Sequence, residues 1–179
     1  MSKLKYTIKD TVVISISAAI LFVSQMVLSF LPNIQISTLL IVLYTKVLGF
    51  RKTSLIIIIH VIVYNFLSPL GALMPAYLPF VIIAWLIIPI TLKTVLKGLN
   101  SSLSLALFGL VFGFIYGWIL VIPAVFITKS PFIPYLIADI PFEIIMALSN
   151  FLSIYFLYDR LKEVLIELTN NFYQKNNNA

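Results

Sequence analysis

Three side chains that could do chemistry lie close together in one short stretch, Asp139–Asn150, which opens the last long apolar segment of this chain. The stretch holds two carboxylates, Asp139 and Glu143, and the carboxamide of Asn150 among residues that otherwise suit lipid. On a helix, Glu143, Ala147 and Asn150 lie at i, i+4 and i+7 and therefore share one face. A charged side chain at the bilayer centre costs about 2.5–3.5 kcal/mol on insertion scales, so Glu143 marks a candidate functional site.

Each of the three polar residues has a structural interpretation beside the functional one. Asp139 precedes Ile140-Pro141 and could be the N-cap of a helix that begins there. Glu143 would then lie in the first turn, where the helix dipole favours its charge, or it contacts a ligand. Asn150 either bonds to a neighbouring helix or contacts the same ligand.

The composition indicates a polytopic membrane protein with no room for a sizeable soluble domain. The 179 residues are 61% hydrophobic and 10% charged, with a mean hydropathy of +1.11, whereas soluble domains are about 45–50% apolar and about 25% charged. The absence of cysteine excludes a disulfide framework and a thiol nucleophile, and one histidine argues against a metal site. The net charge of +6 lies in short clusters between apolar runs, a pattern typical of topology signals and lipid contacts rather than of nucleic-acid binding.

Six apolar segments predict six membrane spans, since a span needs about 20 residues. Lysines precede the first segment as in a signal peptide, but the run from Thr11 to Leu31 is too long for that and has no cleavage site. We therefore interpret it as a retained first span. The six segments show no internal repeat. The predicted spans are approximately 10–31, 35–49, 53–67, 75–92, 102–127 and 140–158.

Basic residues predict that both chain ends lie in the cytoplasm. Eleven of the twelve Lys and Arg residues fall in the segments that are cytoplasmic in this topology, and Lys129 alone falls outside. After the last span, residues 159–173 keep a helical apolar stripe, which predicts a cytoplasmic interfacial helix or, alternatively, a partner contact. Residues 174–179 are predicted to be a disordered tail.

Two spans carry small residues at helical spacing, where another helix can approach closely. In each case the partner is either another span of this chain or a different subunit. The helix-packing residues are Gly109, Gly113 and Gly117 in span 5, and the candidate docking residues are Ser15, Ala18 and Ala19 in span 1.

Polar and aromatic side chains at membrane depth predict a cavity that opens to the outside, with aromatic walls and a few polar anchors. His60 could instead form a hydrogen bond between helices, and Trp118 and Tyr77 could belong to an interfacial aromatic belt. The residues at membrane depth are His60, Tyr64, Asn65, Trp85, Tyr116, Trp118, Glu143 and Asn150.

The chain carries none of the motifs that would indicate an enzyme or a motor. HExxH, GxSxG, P-loop and aspartate-rich motifs are all absent. Active transport would therefore need an external motor or an ion gradient.

Short motifs give the chain a family resemblance. Leu31-Pro32-Asn33-Ile34-Gln35 follows span 1, and span 6 holds Ile140-Pro141-Phe142-Glu143 with Asn150-Phe151 after it. With its size and six predicted spans, the whole chain resembles a substrate-binding S component of an energy-coupling factor (ECF) vitamin transporter. Ser15 stands where that family usually has the first alanine of an Ala-xxx-Ala docking pair.

The resemblance implies a non-enzymatic subunit of a prokaryotic cell membrane that works without a cofactor. It would bind a vitamin or related micronutrient from outside and deliver it by toppling in the bilayer, together with a transmembrane coupling subunit and two cytoplasmic ATPases. Loops after span 1 and between spans 3 and 4 would cover the site. The candidate substrate-binding residues are Glu143, Trp85, Tyr116, Asn150, Tyr64, Asn65, Asn33, Gln35 and Tyr77.

The residue types favour a neutral-to-cationic nitrogen heterocycle, such as a thiamine-like ligand, over a strongly anionic one. An acid with aromatic walls suits N–H donors or positive charge, and Lys129 is the one cation in the predicted outer half. Two alternatives remain: an autonomous gradient-driven carrier or channel with Glu143 as its proton site, and a small membrane enzyme or assembly factor.

Overall fold

The computed structural model describes residues 6–68 and 75–174, which fold into six α-helices and one 3-10 turn. This part of the chain contains no strand, so the all-α prediction is confirmed. The helices are α1 (Ile8–Val27), α2 (Ser37–Val47), α3 (Phe50–Leu67), α4 (Leu78–Lys93), α5 (Ser102–Thr128) and α6 (Phe132–Gln174), and the 3-10 turn, Pro75–Tyr77, precedes α4.

Five of these helices are long and apolar enough to cross a membrane, and α2 is not one of them. With 11 residues, α2 is about 16 Å long, whereas the hydrocarbon core is about 30 Å thick. Every residue from Ser37 to Thr45 is buried, so α2 is packed on all sides by other helices. The described residues therefore contain five candidate spans, compatible with a multi-pass membrane protein, and do not confirm the predicted second span.

Helix α6 begins earlier than its predicted start and keeps the helical extension predicted after residue 158. It begins at Phe132 and continues for 43 residues to Gln174, so residues 159–173 extend the same helix, and 175–179 lie outside the described residues. The N-cap interpretation of Asp139 is wrong, because this residue lies inside α6. Pro141 also lies inside the helix, where it leaves one backbone carbonyl without its usual N–H partner.

Helices α5 and α6 share the most extensive helix–helix contact among the described residues. A Cβ added to Gly113 would lie 2.7 Å from the backbone N and Cα of Ala147, so the two backbones touch at this point. One turn away, the Asn150 side chain donates from Nδ2 to the carbonyl oxygen of Gly109 at 3.1 Å, and this hydrogen bond is buried. We call this line of contact the α5–α6 seam; it shows that these two glycines pack within the chain.

A polar cluster ties the far end of α6 to the starts of α1 and α3. Tyr173 donates its hydroxyl proton to Asp10 at 2.6 Å, and Lys52 forms an ion pair with Asp10 and donates to the Tyr173 hydroxyl at 3.0 Å. Lys9 donates to the backbone carbonyl of Tyr173 at 2.9 Å. The N-terminal end of α1 and the C-terminal end of α6 therefore lie at the same end of the bundle.

Gly113→Ala is expected to destabilise the protein by about 1–3 kcal/mol, the usual cost of overpacking a close interface. The neighbouring atoms belong to the Ala147 backbone and cannot rotate away. Thermal unfolding in one detergent would measure the effect. Gly98→Ala is the matched control, since a Cβ there meets no atom within 4 Å. Equal unfolding temperatures for the two variants would contradict the backbone contact.

Candidate ligand-binding site

A cavity of about 220 Å³ lies at the seam between α5 and α6, bounded also by the loop after α1 and by the 3-10 turn. We call it the α5–α6 cavity. Its lining combines two carboxylates, three tyrosines and an amide with apolar side chains, a composition typical of small-molecule sites. The lining residues are Asn33, Tyr77, Gly113, Tyr116, Gly117, Leu120, Val121, Ala124, Tyr135, Asp139, Glu143 and Met146.

Glu143 is the residue whose environment is hardest to explain by packing alone. It is 2% exposed, yet neither carboxylate oxygen has a hydrogen-bond partner among the described residues. The indole of Trp118 lies close enough to interact with the carboxylate, but outside hydrogen-bond geometry. Burying a carboxylate without a partner is costly, so Glu143 is ready to accept a donor or a cation from a ligand.

Gly117 determines where the Glu143 carboxylate lies. A Cβ at Gly117 would come within 2.5 Å of Glu143 Oε1 and 2.7 Å of its Cγ. Gly113 and Gly117 lie on the same face of α5. Gly113 contacts the backbone of α6, whereas Gly117 contacts a side chain of α6. The missing Cβ therefore provides the space that the Glu143 side chain occupies at the edge of the cavity.

Asp139 and Tyr135 extend the polar face of α6 beyond Glu143. The three residues are spaced four apart on one helix and all line the cavity. Tyr135 and Asp139 are partly exposed whereas Glu143 is buried, and the two carboxylates interact electrostatically. The face thus runs from an accessible rim at Tyr135 to a buried floor at Glu143.

The loop between α1 and α2 closes one side of the cavity through bonds to α6. Asn33 has a left-handed backbone (φ 57), which asparagine tolerates better than most residues, and its Nδ2 donates to the Phe142 carbonyl at 2.9 Å. The backbone N–H of Gln35 donates to Ser149 Oγ, and Ser149 donates to the Gln35 carbonyl, each at 3.0 Å. This loop is fixed to the helix that carries both carboxylates.

Two further cavities share residues with the first. One, of about 220 Å³, lies under the α1–α2 loop and also has Asn33 in its wall, together with Gln35 and Tyr64. The other, of about 30 Å³, lies between α1, α3, α4 and α5 and shares Tyr116 with the α5–α6 cavity. Three adjoining spaces therefore surround the same set of polar and aromatic side chains.

The smallest cavity contains a buried polar pair and an aromatic wall. His60 Nε2 lies 2.7 Å from Gln25 Oε1, so His60 does form a hydrogen bond between helices, while its Nδ1 has no partner among the described residues. Trp85 is 1% exposed and lies 4.9 Å from Tyr116 between ring centroids. The Trp85 and Tyr116 rings both line the small cavity.

The structure brings seven of the nine predicted substrate-binding residues to these three cavities. Asn150 and Asn65 line none of them, and both are buried. Asn150 instead donates a hydrogen bond across the α5–α6 seam, which is the structural alternative stated for it above. The seven are Glu143, Tyr116, Asn33 and Tyr77 at the α5–α6 cavity, and Trp85, Tyr64 and Gln35 at the others.

The predicted cavity did not include four polar residues that line the observed ones: Asp139, Tyr135, Gln25 and Ser29. The first two lie on the part of α6 that precedes its predicted start, so their helical spacing from Glu143 was not considered. Gln25 lies near the end of α1, where an amide at membrane depth was itself a signal for a polar partner.

The candidate docking residues divide between two faces of α1. Ser15 and Ala19 are exposed beside Ile16 and Ile20, which are 56% and 50% exposed. Ala18 is 4% exposed and packs into the core, so it is not available to a partner. The accessible part of the motif is the Ser15–Ala19 pair.

The chemistry that this arrangement supports is binding. The described residues contain no group of three His, Cys, Asp or Glu side chains that could hold a metal ion. No family model matches the chain, and no curated protein or solved structure is detectably similar to it.

Glu143→Gln is expected to raise the stability of the ligand-free protein by about 1–3 kcal/mol, because an unpaired buried carboxylate costs more than an unpaired buried amide. The amide keeps the shape of the side chain and removes the charge. Asn150→Ala is the comparison, since it removes a buried hydrogen bond to Gly109 and should lower stability. Thermal unfolding without ligand would measure both, and a lower unfolding temperature for Glu143→Gln would show that the carboxylate is structural.

Proposed function

We propose that this chain is the substrate-binding subunit of a transporter, which takes a vitamin or related micronutrient from outside the cell and releases it inside with an ECF energising module. The observation that carries the proposal is the buried, unpartnered carboxylate of Glu143 at the wall of a cavity of ligand size. A side chain kept in this state at a cost in stability is expected where a ligand completes its bonding.

The closed seam supports a subunit that binds ligand but needs a motor to move it. Gly113 lines the α5–α6 cavity, and there the backbones of α5 and α6 are in contact. The bonds of Asn33 and Gln35 to α6 close the side formed by the loop. A ligand in the cavity could cross the bundle only if these contacts broke, so transport by the chain alone would require a large rearrangement.

Reconstitution tests this role directly. A ligand would first be identified by native mass spectrometry against a panel of vitamins and their precursors. Proteoliposomes with the chain alone should then bind this ligand and accumulate none of it, whereas adding the coupling subunit, two ATPases and ATP should produce uptake. Accumulation by the chain alone would refute the proposal.

The exposed Ser15–Ala19 pair is proposed as the contact for the coupling subunit, because small residues allow close helix approach in a membrane. Ala19→Leu is expected to reduce complex formation and uptake by roughly tenfold or more, since a bulky side chain separates the helices. Ligand affinity should be unchanged, because Ala19 lines none of the three cavities.

The matched control is Ala138→Leu, which makes the same change at an exposed position of α6. Copurification with the coupling subunit and transport assays would compare the two variants. Equal effects, or wild-type uptake by Ala19→Leu, would place the docking contact elsewhere.

An autonomous carrier driven by a gradient is the second candidate, and the buried carboxylate is the observation that favours it. Glu143 would then carry a proton during transport, and Glu143→Gln would abolish gradient-driven flux. The reconstitution above separates the two, because only the carrier moves ligand without ATPases.

A further inference from the structure

The charge pattern of the α5–α6 cavity indicates the class of its ligand. Asp139 and Glu143 both line the cavity, and the described lining of all three cavities contains no Lys or Arg. Lys129 forms the C-cap of α5 and does not line the cavity. A cavity with two acids and no base among its described residues attracts cations and repels anions.

We propose that this cavity binds an organic cation of about one ring in size, with Asp139 and Glu143 as its two carboxylate partners. The inference rests on the proposed function, because it names the ligand class of the same site. Glu143 is its strongest support: a buried side chain that faces the cavity with both oxygens unpartnered can be satisfied by a cationic N–H donor.

The positions of the two acids suit a ligand that enters from the rim. They are four residues apart on α6, about 6 Å along the helix axis. Asp139 is partly exposed and can contact the cation first. Glu143 is buried and can bind the cation after its hydration shell is removed. A cation between them would also relieve the repulsion of two carboxylates on one helix face.

The rest of the lining favours an organic cation over a metal ion. Calcium takes about six to eight oxygen ligands, and magnesium requires near-octahedral geometry. The cavity instead surrounds the acids with apolar side chains, including Leu120, Val121 and Met146. Benzene binds in a cavity of about 150 Å³, so about 220 Å³ suits one ring with a short cationic arm.

Three probes with one ring and different charge test the proposal: benzylamine, benzyl alcohol and benzoate. Each would be titrated into the purified full chain in detergent, with binding measured by calorimetry and thermal shift. Benzylamine is expected to bind roughly tenfold or more tightly than benzyl alcohol, the usual gain from a charge-assisted hydrogen bond, and benzoate is expected not to bind.

The chain offers a closely matched control for the two acids. Asp159 and Glu163 have the same residue types and the same spacing on the same helix, but both are exposed and neither lines a described cavity. Asp139→Asn and Glu143→Gln should each lower the affinity for benzylamine by roughly tenfold. Asp159→Asn and Glu163→Gln should leave its affinity unchanged.

Several outcomes would overturn the proposal. These are equal affinity for benzylamine and benzyl alcohol, no binding of benzylamine, equal loss in the control variants, or a larger thermal shift with calcium chloride than with benzylamine. The energising module does not enter this experiment, so its result is separate from the uptake test. If the ligand is a neutral vitamin bound through Glu143, the proposal of a cationic ligand is wrong and the proposed transport role is unaffected.

Discussion

The close approach of α5 and α6 is the constraint on which the rest of the structure depends. Gly113 allows the two backbones to touch, and Gly109 receives the side-chain hydrogen bond of Asn150. At Gly117 the same stripe meets the Glu143 side chain instead of backbone. One glycine pattern, from Gly109 to Gly117, therefore allows the close contact of the two helices and provides the space for the carboxylate at its end.

Two opposing contributions to the free energy of folding meet at the interface between α5 and α6. Helices in a membrane gain little from the hydrophobic effect, so close packing and hydrogen bonds between them must provide the stability. The α5–α6 seam supplies both, while the unpartnered Glu143 at its edge works against them. A structural side chain at this position would have been neutral or paired. The opposition is physically reasonable if a ligand supplies the missing bonds when it binds.

Periodicity predicted which residues share a face on each of the two helices, but not that these faces meet. The spacing of Gly109 to Gly117, and the shared face of Glu143 and Asn150, follow from 3.6 residues per turn in each helix. The register between the helices could not be predicted, since it depends on contacts between segments far apart in sequence. For the same reason the pairing of His60 with Gln25 and the loss of Asn150 from the cavity needed the structure.

The errors in helix boundaries have a different cause. Pro141 suggested a helix start because proline is common in the first turn, but a helix packed along its length tolerates an interior proline. This late start left Tyr135 outside the predicted helix and made Asp139 its cap instead of part of the polar face. For α2, apolar composition suggested a span, although burial in a protein core requires the same composition at a shorter length.

The bonds between α1 and α6 determine how the proposed binding and docking surfaces can move. Asn33, just after α1, is bonded to Phe142 near the cavity, and Asp10, at the start of α1, is bonded to Tyr173 near the end of α6. Two helices fixed to each other at both ends resist sliding, since sliding would break both sets of bonds. Polar bonds thus link α1 and the loop after it to the helix that carries the carboxylates. A ligand that left the cavity past the α1–α2 loop would require that loop to detach from α6.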